Sequence, residues 1–407
     1  MIAALSIFAT TYVLMSRPHW PLLRLDRPSA ALIGAVLMVG VGVLTPEQAY
    51  RAVDWNTIVL LLGMFLLSGC LRLAGFFEWA AAATLTHVHT PTGLLAALVF
   101  VSGLLSAVLV NDAACVMLAP LVIAVIHRSG LPLLPYLFAL AGGANIGSVM
   151  TAVGNPQNMI IAHAAPLTFL EFSRRLAPIG LVGLALTVAV LRIMFRHDLH
   201  RRTIALQPIT GTALDRPLLF KTVACLALVL VGFITGYHLA WTALAGAALL
   251  FLVSGRAPRE IMAQVDGPLL LFFGALFVII AGLEAAKVPV AAFTWLAPLV
   301  EGNGLVPAIH FAWISVLASN VVSNVPYVLL AASWIKQLAD PDRLWLLLAL
   351  TSTFAGNLTL FGSVANVIVF ESAREHIRVG FWKFLRVGVP LTLLTTVVGV
   401  GLLLLWS

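Results

Sequence analysis

The chain has 407 residues, of which 61% are hydrophobic and only 10% are charged, and its formal net charge is +7. This composition excludes an ordinary soluble domain. It also argues against nucleic-acid binding, because the basic residues lie between apolar segments and form no continuous face. The apolar runs are long enough to cross a bilayer, so we predict an all-α polytopic membrane protein.

In chain order the apolar runs predict five transmembrane helices in each half of the chain. A polar, basic linker at residues 196–216 separates a first repeat, residues 1–195, from a second repeat, residues 217–407. The predicted spans lie at about residues 2–16, 30–45, 56–72, 134–163 and 174–195, then 217–235, 239–254, 267–284, 343–370 and 383–406.

Two further stretches do not fit simple spans. Residues 92–126 and 305–335 are apolar but carry Asn111-Asp112 and Ser323-Asn324 near their middles. Each is too long for one crossing of a core about 30 Å thick and too short for two, so each predicts a re-entrant hairpin. Segments 134–163 and 343–370 hold Gly, Asn and Thr at their centres, which predicts helices broken at the midplane.

Short sequences recur 212 residues apart and indicate an internal duplication. Ala31-Leu32-Ile33-Gly34-Ala35 returns as Ala243-Leu244-Ala245-Gly246-Ala247, and Val53-Asp54 returns as Val265-Asp266. Paired repeats with polar breaks in corresponding positions are typical of secondary transporters.

An odd number of spans per half requires that the second repeat be inverted relative to the first. With the linker placed in the cytoplasm, 17 Lys and Arg residues lie in or beside cytoplasmic loops and 6 lie outside. This asymmetry follows the positive-inside rule and favours two inverted repeats. We therefore predict a bacterial cytoplasmic (inner) membrane protein whose two termini are periplasmic.

Asparagines mark the predicted breaks and tips. Eight of the ten asparagines fall in these segments, four in each half. Helix N-termini at such points can bind an anionic or hydroxylated solute, and freed carbonyls can hold a cation. The alternative for any single asparagine is a hydrogen bond to a neighbouring helix. The candidate solute- and ion-binding residues are Asn111, Asp112, Asn145, Thr151, Gly154, Asn155 and Asn158, then Ser323, Asn324, Asn357, Thr359, Gly362, Ser363 and Asn366.

Asp112 is the one acidic side chain predicted deep in a membrane segment, and its counterpart Val325 is apolar. A carboxylate there costs several kcal/mol unless it is protonated, faces a cation or lines a water-filled cavity. We therefore predict a proton-coupling role for Asp112. Capping of the second arm of the hairpin is the alternative.

With these residues in place, the chain resembles the ion transporter superfamily over nearly its whole length. Val110-Asn111-Asp112-Ala113 looks like the hairpin tip of the arsenite permease branch. Gly154-Asn155-Pro156-Gln157-Asn158 and Gly362-Ser363-Val364-Ala365-Asn366 look like the breaks of silicic-acid efflux and related anion permeases. The resemblance implies a scaffold half and a mobile transport half, often in a homodimer, and an elevator-type motion.

The leading hypothesis is proton-coupled efflux of a small oxyacid or its anion, with arsenite or silicic acid as prime candidates. We expect no Lys or Arg at either break to neutralise a dianion, and no cofactor, metal or enzymatic activity. The alternative is a sodium- or proton-coupled transporter of carboxylates or inorganic anions. A channel built on re-entrant hairpins is a third hypothesis.

Overall fold

The computed structural model describes residues 1–16, 25–200, 214–302 and 304–406, and these residues are helical with no strand. Eight of the helices in these ranges are long and apolar enough to cross a membrane. The first half contains α1 (Ile2–Ser16), α2 (Arg27–Gly40), α3 (Pro46–Ala52), α4 (Trp55–Leu73), α5 (Phe76–His87), α6 (Pro91–Val108), α7 (Asn111–Arg128), α8 (Leu133–Ser148), α9 (Pro156–Ala164) and α10 (Phe169–Met194).

The second half, over its described residues, contains the same number of α-helices in the same order. These are α11 (Arg216–Ile234), α12 (Leu239–Val253), α13 (Pro258–Met262), α14 (Gly267–Ala285), α15 (Val288–Val300), α16 (Leu305–Val322), α17 (Asn324–Ile335), α18 (Pro341–Ala355), α19 (Val364–Ser372) and α20 (Phe381–Trp406). A short 3-10 turn, Leu360–Gly362, precedes α19. Residues 201–213, which make up most of the predicted linker, lie outside the described ranges, as do residues 17–24.

Residues that recur 212 positions apart, Asp54 with Asp266 and Pro46 with Pro258, lie at the starts of equivalent helices. Asp54 and Asp266 cap α4 and α14, each accepting a hydrogen bond from a backbone N–H of the first turn. Pro46 and Pro258 occupy the first position of α3 and α13, where proline needs no hydrogen-bond partner. Helix α4 packs on α12 and α14 packs on α2, so the two halves exchange equivalent contacts.

Both hairpins form at the predicted places. The arms α6 and α7 are joined by Leu109 and Val110, which are 1% and 0% exposed. The turn between α16 and α17 is Ser323, beside the buried Asn324. Turns that joined two full crossings would lie at a water-facing surface, so the burial of Leu109 and Val110, and of Asn324 directly after the half-buried Ser323, supports re-entrant hairpins.

The two broken helices lie at the centre of the protein. Every residue from Pro135 to Ser148 in α8 is buried, and so is every residue from Leu344 to Ala355 in α18. The first break spans 149–155 and the second spans 356–363. One apolar helix, α15, was not among the predicted elements, because its 13 residues are too few to read as a span.

Candidate functional site

Four helix N-termini meet at one small cavity of about 20 Å³. They belong to the second arms of the two hairpins, α7 and α17, and to the second pieces of the two broken helices, α9 and α19. The lining residues are Asn111, Asp112, Pro156, Gln157, Ser323, Asn324, Val325, Gly362, Ser363 and Val364, with Phe272, Phe273 and Leu276 of α14 forming the facing wall. We call this space the tip cavity; its volume is about that of one water molecule.

The electrostatics of the tip cavity follow from the four helix ends. Each helix N-terminus carries roughly half a positive elementary charge and unpaired N–H groups, so their convergence favours a negative or strongly polar group. No Lys or Arg is among the described residues that line the cavity. The positive potential here comes from backbone dipoles.

Among the described residues that line the tip cavity, Asp112 is the one with a carboxyl group. It lies in the first turn of α7, is 4% exposed, and its backbone N–H donates to Asn111 Oδ1 at 2.9 Å. Its carboxyl group faces the backbone N–H of Ala365 in the first turn of α19. The carboxyl therefore lies at the start of two helices, one from each repeat, where it can be stabilised with or without its proton.

The tip of the second hairpin contains a buried side-chain oxygen that accepts no hydrogen bond from the described residues. Asn324 is 6% exposed, and its Oδ1 has no hydrogen-bond partner among the described residues. Ser323, which precedes it, has a φ of +66°, a conformation that is unfavourable for a residue with a Cβ atom. A strained turn and an unpaired buried oxygen beside one cavity are features that a bound group would explain.

Behind the cavity, an amide network joins the two breaks. Asn145 Nδ2 donates to Asn357 Oδ1 and to Asn366 Oδ1, both at 2.9 Å. Ser363 Oγ and Asn111 Nδ2 donate to Asn145 Oδ1 at 2.9 Å and 3.4 Å. Asn145 thus links the first hairpin tip to the second break.

The equivalent residues of the other repeat make a matching network. Thr353 stands in the place of Asn145, and its Oγ1 accepts from Asn155 Nδ2 at 3.1 Å and donates to Asn158 Oδ1 at 3.5 Å. Asn155 Nδ2 also donates to Ser148 Oγ at 2.8 Å. Each broken helix therefore supplies a polar residue from its first piece to the break of the other.

Asn158 and Asn366 hold the two breaks closed. Asn158 Nδ2 donates to the carbonyls of Ser148 and Thr151 at 3.1 Å and 3.0 Å. Asn366 Nδ2 donates to the equivalent carbonyls of Gly356 and Thr359 at 2.7 Å and 3.0 Å. These side chains donate to the Ser148 and Gly356 carbonyls at the interrupted helix ends, and they add a second donor to the Thr151 and Thr359 carbonyls, which also accept from the Gly154 and Gly362 N–H groups.

The two threonines attach the breaks to the hairpins. Thr151 Oγ1 donates to the Ala107 carbonyl at 2.5 Å, and Thr359 Oγ1 donates to Asn320 Oδ1 at 2.9 Å. Ala107 and Asn320 both lie near the end of the first arm of their hairpin. These contacts make each hairpin and its break one packed unit.

Gly154 and Gly362 allow close approaches at the breaks. A Cβ atom at Gly154 would lie 2.2 Å from the Ser148 carbonyl oxygen, and one at Gly362 would lie 2.7 Å from Asn320 Oδ1. Either substitution would force the break apart.

The predicted site residues thus fall into two groups. Six line the tip cavity: Asn111, Asp112, Ser323, Asn324, Gly362 and Ser363. The other eight lie behind it and bond to the protein itself or support the breaks, as the neighbouring-helix alternative for asparagine anticipates: Asn145, Thr151, Gly154, Asn155, Asn158, Asn357, Thr359 and Asn366.

Sequence reasoning missed the aromatic wall and one cation. Phe272 and Phe273 lie within an unbroken apolar span, which carries no signal for a site. Arg27 lies far from both breaks in sequence, but its guanidinium carbon stands 5.8 Å from the ring centroid of Phe361 in the second break. Arg27 thus lies near the second break in the folded chain, while no Lys or Arg is among the described residues that line the tip cavity.

Two larger openings lie at equivalent positions in the two repeats. One, about 620 Å³, lies between the start of α2 and the segment from α19 to the start of α20, and we call it the Arg27 vestibule. The other, about 390 Å³, lies between the start of α12 and the segment from α9 to the start of α10, and we call it the His163 vestibule. In the latter, His163 Nε2 lies 3.1 Å from Asn56 Nδ2 of α4.

Comparison with known proteins agrees with this architecture. The model of the citrate transporter family (CitMHS) matches residues 11–355. The chain belongs to this family. It is thus a multi-pass membrane transporter, and the superfamily resemblance of its motifs is confirmed.

Relatives within this group carry several names. "Silicon efflux transporter LSI3" of Oryza sativa subsp. japonica is 30% identical over 465 aligned residues, which cover 97% of this chain and 96% of the rice protein. "Putative transporter arsB" of Dictyostelium discoideum is 28% identical, covering 94% of this chain and 88% of its own. The solved YdaH transporter of Alcanivorax borkumensis, which has an unusual topology, superposes with a TM-score of 0.57 at 17% identity over 99% of this chain and 96% of its own. That likeness shows the fold alone.

Proposed function

We propose that this CitMHS-family protein exports a small oxyacid or its anion in exchange for protons. The observation that carries the proposal is the convergence of four helix N-termini on one cavity that also contains the Asp112 carboxyl. Helix ends supply a site for a compact oxygen-rich solute, and a carboxyl in the same cavity can exchange a proton as that solute binds or leaves. Arsenite and silicic acid are the prime candidate substrates.

The distribution of hydrogen bonds supports protons over sodium as the coupling ion. Carbonyls freed at a helix break are the groups that hold sodium in many transporters. Here two carbonyls in each break already accept from Asn158 or Asn366. A sodium ion would have to displace these amide groups, whereas a proton needs only Asp112.

The arrangement of the site also supports inverted repeats and an elevator-type motion. The hairpins and breaks are bonded to one another through Thr151 and Thr359, so they can move as a unit against α14. With inverted repeats, the two vestibules open to opposite faces of the membrane, the Arg27 vestibule to the cytoplasm. A homodimer in the cytoplasmic (inner) membrane, with periplasmic termini and a cytoplasmic linker, completes the proposal.

The second candidate is transport of a carboxylate or inorganic anion, coupled to sodium or protons. The family name favours it, since the matching model is described as a citrate transporter. A tip cavity of about 20 Å³ favours the more compact solutes, because a larger anion requires a wider opening of the tips.

Everted membrane vesicles separate the two candidates. We expect an imposed pH gradient, acid inside, to drive uptake of arsenite or germanic acid, and sodium to have no effect. Vesicles without the protein serve as the blank, and Asp112→Asn serves as the matched variant. Sodium-dependent citrate uptake with no arsenite or germanic acid flux would replace the first candidate by the second.

A further inference from the structure

The Arg27 vestibule and the tip cavity are bordered by adjacent residues of the second break. Phe361 lines the vestibule, and the next residue, Gly362, lines the tip cavity. The Arg27 guanidinium lies over the Phe361 ring, within the range of a cation–π contact. On the same side, the Tyr12 hydroxyl of α1 donates to the Val322 carbonyl, directly before the second tip. The second break therefore borders both spaces, with Arg27 and Phe361 on the vestibule side.

The charges that line this vestibule leave a positive surface. Asp26 accepts from the Ser29 backbone N–H at 2.9 Å, and Glu371 pairs with Arg374 at 3.3 Å. Within the described chain neither Arg27 nor Arg378, the remaining charged residues of the lining, forms an ion pair with a carboxylate. The described lining thus carries Arg27, Arg374 and Arg378 against Asp26 and Glu371, and this excess of one positive charge in a partly enclosed space raises the local concentration of anions.

The His163 vestibule provides an internal comparison. Leu239 is the first residue of α12 as Arg27 is the first residue of α2, and Val153 occupies the position in the first break that Phe361 occupies in the second. The described lining of that vestibule contains His163 and His238 but no Lys or Arg. Equivalent positions thus carry a cation and an aromatic ring on one side, and two aliphatic side chains on the other.

We propose that the Arg27 vestibule is an anion-binding access site for small oxyanions, that Arg27 selects for negative charge there, and that Phe361 is the barrier between this site and the tip cavity. The proposal rests on the proposed function, because it assumes that the transported solute reaches the tip cavity. It goes further by naming the side on which charge is selected and the residue that selects it.

Two introduced cysteines test the proposal without any need for the natural substrate. Val367→Cys places a thiol in the vestibule, and Val325→Cys places one at the tip cavity, where a reagent larger than this space of about 20 Å³ reacts only while the tips are apart. Each protein is labelled with a negatively charged and a positively charged methanethiosulfonate of similar size, and the ratio of the two rates reports local charge. The parent chain, whose Cys70, Cys115 and Cys225 are buried, gives the blank.

For the vestibule thiol of Val367→Cys we expect the anionic reagent to be favoured, and Arg27→Gln to lower the anionic-to-cationic rate ratio by about fivefold. Arg27→Lys, which keeps the charge, should preserve the ratio. Leu239→Gln, at the equivalent position of the other repeat, should leave it unchanged. For the tip-cavity thiol of Val325→Cys we expect Phe361→Ala to raise both rates by about tenfold, while the ratio at the vestibule thiol stays the same.

An unchanged ratio in Arg27→Gln would overturn the role of Arg27, and unchanged rates at the tip-cavity thiol in Phe361→Ala would overturn the barrier. If Arg27→Gln is not monodisperse after purification, the Val367→Cys protein with its native Arg27 is instead labelled at low and at high salt. High salt screens the charge of Arg27, so the anionic-to-cationic rate ratio should move toward that of a free thiol in solution. A ratio that does not change with salt would contradict the proposal. Labelling requires no transport, so absent flux with intact ratios would reject the proposed function and leave the access site standing.

Discussion

The two breaks are held by equivalent hydrogen bonds, whereas the two hairpin tips carry different side chains into the cavity. Asn158 and Asn366 close equivalent carbonyl pairs, and Thr151 and Thr359 attach equivalent arms. At the tips, Asp112 faces the cavity on one side and Val325 on the other. The shared features hold the architecture together, whereas the tips differ in the one carboxyl group that reaches the described cavity.

The difference between the two tips is tested most directly by removing the carboxyl group of Asp112. We expect Asp112→Asn to reduce pH-gradient-driven flux on the order of a thousandfold, because the amide cannot exchange a proton but can still lie in the first turn of α7. Flux in vesicles with and without the gradient measures the effect. A folded variant with unchanged pH dependence would assign Asp112 to helix capping.

The matched breaks predict matched losses of stability. Asn158→Ala and Asn366→Ala each remove the side-chain donor to a buried carbonyl, that of Ser148 or Gly356, and one of two donors to the Thr151 or Thr359 carbonyl, so we expect each to lower the free energy of unfolding by about 1–3 kcal/mol. Thermal unfolding in detergent measures this, with Asn320→Ala as a comparison at the rim of the second break. A large loss of stability in only one of the two variants would show that the two asparagines do not support their breaks equally.

The tips predict a difference in solute affinity. The Asn324 Oδ1 has no partner within the described part of the protein, whereas Asn111 uses its amide group on Asn145 and on the Asp112 backbone. We therefore expect Asn324→Ala to raise the half-saturation concentration about tenfold with little loss of stability. Asn111→Ala should weaken binding and also destabilise the fold. Equal effects of the two substitutions on both properties would contradict this distinction.

The smallest expected effect lies outside the membrane, at Asp215. Its hydrogen bond from the Leu218 backbone N–H, together with Arg256 at 2.7 Å, lowers the pKa of this carboxyl below its usual value. A lowered pKa stabilises the fold above the unfolded-state value of about 3.9, and this contribution is lost as the pH falls through the folded-state value. We expect Asp215→Asn to lower the melting temperature slightly at pH 7 and by less near pH 3. A difference that grows toward acid pH would contradict this sign.

The positions of the spans, hairpins and breaks could be predicted from the sequence, because hydrophobic length and polar interruptions are local properties. The six cavity-lining residues were found for the same reason, since each lies at a tip or a break. The supporting role of Asn145 could not be predicted, because its partners Asn357 and Asn366 lie more than 200 residues away. Arg27 and the aromatic wall of α14 were missed because only packing between the repeats brings them to the site.

The exchange of polar residues between the breaks also bears on the origin of the chain. Asn145 serves the second break and Thr353 serves the first, so one repeat alone would lack the group that completes its own break. Under the proposed inverted topology, an ancestral protein with a single repeat would have had to insert in both orientations and assemble from two copies. Joining two copies in one chain would let them diverge, so that a carboxyl group is present on one side only.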